Sequence, residues 1–182
     1  MNVRILAVAM AGLLCAGLAA QAQPRTAVAE IRGCTDAAIT GRAQFSEIPS
    51  PEGVKQVLVE LTVRGLPDGK HGVHIHETAN CTPCTAAGGH FDPGPASNPS
   101  PDGNHPFHAG DLVNIEVHGG YGVLLTLTSW VTLSPGPLSI FDQDGSAFII
   151  HEKPDTYCPK GDVQDCAGGG RAACGIIEGV EK

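Results

Sequence analysis

Punctuation is what most constrains this chain. From Ala27 onward, glycine or proline interrupts it about every ten residues, and the segments between alternate apolar and polar side chains with period two. Val57, Val59, Leu61 and Val63 fall on one side of an extended segment, and Gln56, Glu60 and Arg64 on the other, with Leu58 a partial exception. Ala37, Ile39, Ala43 and Phe45 likewise oppose Ala38, Thr40, Arg42 and Gln44. This is the pattern of half-buried antiparallel strands. Further strands are expected at 27–32, 72–76, 112–117, 123–128, 147–151 and 172–177. Pro51-Glu52-Gly53 and Pro67-Asp68-Gly69 suit tight turns, because proline presets φ and glycine tolerates φ > 0. About eight short strands separated by turn signals predict an all-β sandwich or barrel.

Residues 1–22 read differently. A short basic start ending in Arg4 leads into an apolar run, and Ala20-Gln21-Ala22 has the small-residue spacing of a cleavage site. That is the anatomy of a secretory signal peptide, removed after Ala22. The run is shorter than the roughly 20 apolar residues a membrane-spanning helix needs. A lipid anchor at Cys15 is disfavoured by the bulky Leu14 before it. Residues 23–182 are then expected to form a single domain, exported to the periplasm or secreted, with no stable membrane anchor. The net charge of −8 becomes −9 without Arg4, which argues against nucleic acid or anionic membrane as a partner. A small anionic substrate stays open, since a local field can oppose the global charge.

Six cysteines survive cleavage: Cys34, Cys81, Cys84, Cys158, Cys166 and Cys174. In an oxidising compartment they are expected to pair, and spacing alone does not choose among the possible pairings. Two segments break the strand rhythm, 77–110 and 153–170, each directly after a histidine-bearing strand end. Structureless loops of that length inside a compact domain are usually functional.

The eight histidines concentrate there. His71, His74, His76, His90, His105, His108 and His151 lie in or beside the two loops, and His118 reads as an ordinary strand-end residue. In His74-Ile75-His76 both imidazoles face the same way on a strand and can reach one metal. Taken alone, the pair fits a solvated polar face equally well. With the further histidines and Asp111, the set suits copper or zinc, and the absence of Cys or Met ligands argues against an electron-transfer copper site.

Five motifs then resemble the copper–zinc superoxide dismutases, in their order. These are His71-Gly72-Val73-His74-Ile75-His76-Glu77; the segment from Cys84 through Gly88-Gly89-His90-Phe91-Asp92-Pro93; His108-Ala109-Gly110-Asp111-Leu112; Phe148-Ile149-Ile150-His151-Glu152-Lys153-Pro154-Asp155; and Gly170-Arg171-Ala172-Ala173-Cys174-Gly175. The likeness runs from about Ala27 to Ile177. It implies an eight-stranded Greek-key β-barrel or sandwich carrying two long metal-site loops. It also implies an enzyme that converts superoxide to oxygen and hydrogen peroxide, with copper on His74, His76, His90 and His151. His90 would bridge to zinc and supply a proton, and Arg171 would attract and orient the anion. Cys84–Cys174 would be the disulfide tying the metal loop to the last strand. Asp155 would fix the orientation of a copper histidine and a zinc histidine.

The chain departs from that pattern in two places. Where the family has a further zinc histidine, eight residues after His90, stands Asn98. His105 is the expected replacement, giving zinc the set His90, His105, His108 and Asp111; a copper-only enzyme is the competing reading. The second loop carries Cys158 and Cys166, which the family does not require and which are expected to form a local disulfide. Cys34 and Cys81 are left unassigned, with Cys34 expected toward the far end of the barrel. A non-catalytic copper-binding protein on the same fold, and a disulfide-stapled structural β-sandwich, are the remaining alternatives. The oligomeric state, monomer or homodimer, is open.

Overall fold

The computed structural model describes residues 25–94, 108–158 and 165–180. Residues 1–22, Asn98 and His105 lie outside them. Among the described residues nine strands form one antiparallel sheet: β1 Thr26–Gly33, β2 Thr40–Pro49, β3 Lys55–Arg64, β4 Gly69–His71, β5 Val73–His76, β6 Ile115–His118, β7 Tyr121–Thr128, β8 Ala147–His151 and β9 Arg171–Gly179. Their order across the sheet is β4-β6-β7-β3-β2-β1-β9-β8-β5. The outermost strands, β4 and β5, are separated in sequence by Gly72 alone. One extended segment therefore pairs with β6 before Gly72 and with β8 after it. That switch nearly closes the sheet into a barrel and leaves β5 with one free edge. The ninth strand is the three-residue β4, too short for alternation to reveal.

The alternation read from the sequence is the packing. Val57, Val59, Leu61 and Val63 of β3 point inward with Ala43 and Phe45 of β2, and Phe45 meets Phe148 edge-on at 5.5 Å. β2 begins only at Thr40, because Asp36 turns the chain first by accepting from Ala38 N at 2.9 Å and Ile39 N at 3.1 Å. The expected turn at Pro51-Glu52-Gly53 closes with Gly53 N donating to Ser50 O at 3.1 Å. β7 is unusual: its outward residues Tyr121, Val123, Leu125 and Leu127 are apolar and exposed, while Gly122, Thr126 and Thr128 alternate with them.

β8 is buried along its whole length. Phe148 and Ile150 face the barrel core, while Ala147 and Ile149 join Ala87 and Cys174 in a second cluster packed by Cys34, Cys81 and Cys84. Here the expected Cys84–Cys174 disulfide is corrected. Cys84 bonds Cys34, and Cys174 bonds Cys81. The reason is topological: β1 lies beside β9 with Gly33 opposite Ala173, so Cys34 emerges next to the last strand rather than at the far end of the barrel. Its N–H donates to Ala172 O at 2.8 Å. Cys81 and Cys84, three residues apart, diverge to two different partners. Cys158 and Cys166 are bonded to each other. On a loop-closure argument the two long-range bonds contribute about 4 kcal/mol each.

Candidate metal centre

The site is built on the free edge of β5. Val73 and Ile75 fill the barrel, so period two turns His74 and His76 to the other face, beneath the loops. Two loop segments are stitched along that edge. Phe91 N donates to Ile75 O and Ile75 N to Gly110 O, both at 2.9 Å, and Gly110 N donates to Phe91 O at 2.7 Å. Isolated bridges pair His76 with His90 and His74 with Asp111. Gly110 is required for this approach, since a Cβ there would lie 2.2 Å from Ile75 O. His151 arrives from β8 at a register shift between Ile150 and His151 that sets it opposite Arg171. Such irregularities re-aim side chains beside sites.

Three groups of donor atoms result among the described residues, each with its ligand atoms within 4.8 Å of one another, and one of them, His74, Asp111 and Asp155, links the other two. Of those two, the first is His74, His76, His90 and His151, and the second is His90, His108 and Asp111. His90 belongs to both. Outer hydrogen bonds fix the tautomers of the first group. His74 Nε2–H donates to Asp155 Oδ2 at 2.6 Å, His76 Nδ1–H to Gly88 O at 3.0 Å, and His151 Nδ1–H to Gly169 O at 3.0 Å. Their other nitrogens, His74 Nδ1, His76 Nε2 and His151 Nε2, are buried without a partner. Buried polar atoms are normally satisfied, so three that share one small space point to a group that completes them. A set of imidazole nitrogens suits copper. In the second group His90 Nδ1–H donates to Asp111 Oδ1 at 2.6 Å, and His108 N donates to Asp111 Oδ2 at 2.9 Å.

The electrostatics agree. Burial first, then the neighbouring His90, drive the pKa of His76 down to about 2. Burial and the neighbouring His74 bring His151 to about 3, and burial lowers His74. These three rings are neutral at pH 7 with lone pairs free. Burial alone would raise Asp111, but hydrogen bonds from His108 and His90 hold it below the ordinary carboxylate range. The cleft over the site is walled by His76, His90, His151, Tyr157 and Arg171. Among the described residues Arg171 is the cation lining it, with Nη1 donating to Cys84 O at 2.6 Å and Nη2 to Gly88 O. Burial lowers its pKa, yet a guanidinium stays charged at any physiological pH. Lys153 at the rim is paired with Asp165 at 2.8 Å.

Sequence reasoning left three contributors without a role. His71 is buried, with Nδ1 2.8 Å from His151 O and Nε2 2.9 Å from Pro67 O, so it braces the backbone of His151. Its parity with Val73 and Ile75, rather than with His74 and His76, was the available signal. Asn114 holds the Asp155 backbone on both sides, donating from Nδ2 to its carbonyl at 2.9 Å and accepting its N–H at 2.8 Å. Tyr157 N donates to Asp155 Oδ1 at 2.5 Å. His118 stands apart and exposed, 3.5 Å from Glu116.

The family profile described as copper/zinc superoxide dismutase matches residues 39–177, which include every residue of all three groups. The chain belongs to the copper–zinc superoxide dismutase family. It is 38% identical over 159 residues to a copper–zinc superoxide dismutase of Deinococcus radiodurans, covering 78% of this chain and 79% of that one. It is 29% identical over 185 residues to an extracellular copper–zinc superoxide dismutase of Drosophila melanogaster, covering 97% and 98%. Among solved structures it resembles the clock protein EA4, with a TM-score of 0.68 and 31% identity over 86% of this chain and 95% of that one. This superoxide dismutase is thus an oxidoreductase, and copper and zinc are its family's metals.

Proposed function

We propose that this superoxide dismutase works at a copper held by His74, His76, His90 and His151, with zinc held by His90, His105, His108 and Asp111. The observation that carries the copper assignment is the set of three partnerless ring nitrogens, each on an imidazole anchored through its other nitrogen. When bound, copper supplies the one-electron exchange that takes superoxide to oxygen in one half of the cycle and to hydrogen peroxide in the other. The protein's part is electrostatic and protonic. Arg171 draws a small anion into the cleft of an acidic molecule and orients it. His90, shared by the two groups, carries at Nε2 the proton that the peroxide product requires. Asp155 keeps His74 in the tautomer that leaves Nδ1 free. Zinc has no redox chemistry, so its part is to position His90.

His105 is assigned to zinc because His105, His108 and Asp111 stand three residues apart and Asn98 is a poor zinc ligand. The second reading, a copper-only enzyme, rests on that same asparagine. Metal analysis after copper- and zinc-replete expression should return one of each per chain, with His105→Ala losing zinc and keeping copper; copper alone in the unaltered chain would overturn the zinc site. Superoxide loss abolished by a copper chelator tests catalysis, and full copper occupancy without activity would favour a storage protein. Export with removal of residues 1–22, leaving a single domain of 23–182 in the periplasm or secreted, is supported by the disulfides and by the extracellular relative. The enzyme is a monomer or a homodimer. The outward apolar row of β7 offers a homodimer a face to bury, and sedimentation at micromolar concentration decides.

A further inference from the structure

Beyond the β8–β9 pair the chain runs on as a two-armed ribbon along the metal cleft. One arm, 152–158, leaves β8 after His151, and the other, 165–170, leads into β9 at Arg171. Glu152 N donates to Gly170 O at 2.8 Å, Lys153 N to Gly168 O at 3.0 Å and Thr156 N to Cys166 O at 2.8 Å, and a bridge pairs Asp155 with Ala167. Each arm carries the acceptor of one copper-site histidine, and the two acceptors are held differently. Gly169 O, which takes His151 Nδ1–H, lies beside the β8–β9 pairing, between the bonds made by Gly168 and Gly170. Asp155, which takes His74 Nε2–H, lies farther out, and the bond beyond it is to Cys166 O, which also accepts from Thr156 Oγ1 at 3.0 Å. There the ribbon ends in the Cys158–Cys166 disulfide. Among the described residues, the non-glycine residues at positive φ are Tyr157 (59°), Cys158 (43°) and Asp165 (66°), and each belongs to or adjoins that bonded pair. Left-handed backbone disfavours residues with a Cβ, so the chain's own preference is to open this end.

We propose that Cys158 and Cys166 are positioning residues for the copper site, their disulfide holding the Asp155 carboxylate on His74. The inference rests on the reading of His74 as a copper ligand. Asn114 already fixes the Asp155 backbone, so what remains to be set is the turn of the carboxylate. Tyr157 N sets it, donating to Oδ1 at 2.5 Å and leaving Oδ2 for His74. Tyr157 stands immediately before Cys158 with left-handed φ, and the covalent bond to Cys166 keeps it there. Stabilising the whole fold is the lesser service of this bond. Its cysteines are 8 residues apart, against 50 and 93 for the other two disulfides, and the gain from loop closure grows with loop length. Its larger effect is in the folded state: with His74 already aligned, copper binding does not have to order the ribbon first.

The test is a mutant cycle on the full protein, stripped of copper and supplied with zinc. Cys158→Ser/Cys166→Ala removes the bond, leaves no free thiol and retains Asp155 and Tyr157. Cys158→Ser/Cys166→Val, which refills the space of the buried Cys166 sulfur, serves if the first variant does not fold. Each is made with Asp155 present and in Asp155→Asn, and copper affinity is measured by competition with a chelator. With Asp155 present, loss of the bond should weaken copper binding about tenfold; in Asp155→Asn it should do so by less than about twofold, because groups acting through one another do not add. Amide exchange of the metal-free protein gives a second readout. Thr156 N–H should exchange about tenfold faster without the bond, while Glu152 and Lys153 keep the parent's rates. Unaltered copper affinity with Asp155 present, an equal loss in both backgrounds, or exchange accelerated equally along the whole ribbon would overturn the proposal. If Asp155→Asn by itself binds copper as tightly as the parent, the reading of the His74–Asp155 pair fails first, a result distinct from failure of the tether.

Discussion

His76 and Arg171 meet on one acceptor: the Gly88 carbonyl takes the Nδ1–H of His76 at 3.0 Å and also the Nη2 of Arg171. On the proposed reading, a copper ligand and the residue that orients the substrate are therefore referred to the same backbone oxygen. A guanidinium can span Gly88 O and Cys84 O because its donors form a rigid fork; an ammonium is a point charge that cannot hold both. Arg171→Lys should therefore lose rate although the charge is kept, about threefold, and Arg171→Ala should lose about tenfold or more with a weaker dependence on salt. Rates of superoxide loss across ionic strength check this. A lysine variant as fast as the parent would mean that charge alone matters.

Asp155 is the second point of control. Its Oδ2 accepts from His74 Nε2, and Asn114 and Tyr157 hold it from the other side. Asp155→Asn can offer His74 an amide hydrogen instead of an oxygen, inviting the ring to protonate at Nδ1, the atom left free in this structure. Removing such outer partners typically costs ten- to a hundredfold in metal affinity. Copper affinity by competition with a chelator should fall by about that factor, while zinc affinity falls less. Equal affinities in parent and variant would remove Asp155 from the copper site.

The parts of this molecule that were legible in the sequence are those governed by local periodicity. Alternation placed Val57 to Val63 in the core and turned His74 and His76 to a common face, and both follow from one strand considered alone. The local pair Cys158–Cys166 was legible, but the partners of the two long-range disulfides were not, because Cys34–Cys84 depends on β1 lying beside β9, strands at opposite ends of the chain. The braces on the histidines escaped for a related reason. Gly88 O and Gly169 O are backbone atoms, so no side-chain pattern announces them. The same applies to β4, whose three residues are too few to show a period but whose pairing brings the barrel close to closure.

The neutral histidines make the metal-free protein acid-sensitive. In the unfolded chain each would titrate near its ordinary value of 6.5, whereas in the fold burial holds His76 at about 2 and His151 at about 3, with His74 also lowered. Between those limits the unfolded state binds more protons than the folded one, so stability falls as pH drops below about 6.5. The limiting slope is about 1.4 kcal/mol per pH unit for each ring that stays neutral in the fold. Asp111, also lowered, adds loss in the same direction at pH values below its ordinary 3.8. Denaturant midpoints of the metal-free protein should decline from pH 6.5 toward pH 4, and His76→Gln/His151→Gln should flatten that decline. A midpoint independent of pH over this range would refute the assignment of neutral rings.

Glu47 provides a test remote from the metals. It is a buried carboxylate near the end of β2, and its Oε2 accepts from Leu133 N at 2.7 Å, Ser134 N at 2.8 Å and Ser134 Oγ at 3.0 Å. Lys55 Nζ donates to the same Ser134 hydroxyl, so one short network holds the segment after β7 against β2 and β3. Glu47→Ala would strand two backbone N–H groups in a space closed to water. The cost of unpaired buried donors, added to the lost charge-assisted bonds, comes to about 3 kcal/mol. Glu47→Gln keeps an acceptor oxygen but not the charge, and should lose about 1 kcal/mol. Neither substitution touches the groups around His74, so copper content and specific activity of the folded fraction should match the parent. Thermal unfolding together with activity per bound copper separates the two effects. A fall in activity per copper would show that the segment after β7 is coupled to the site.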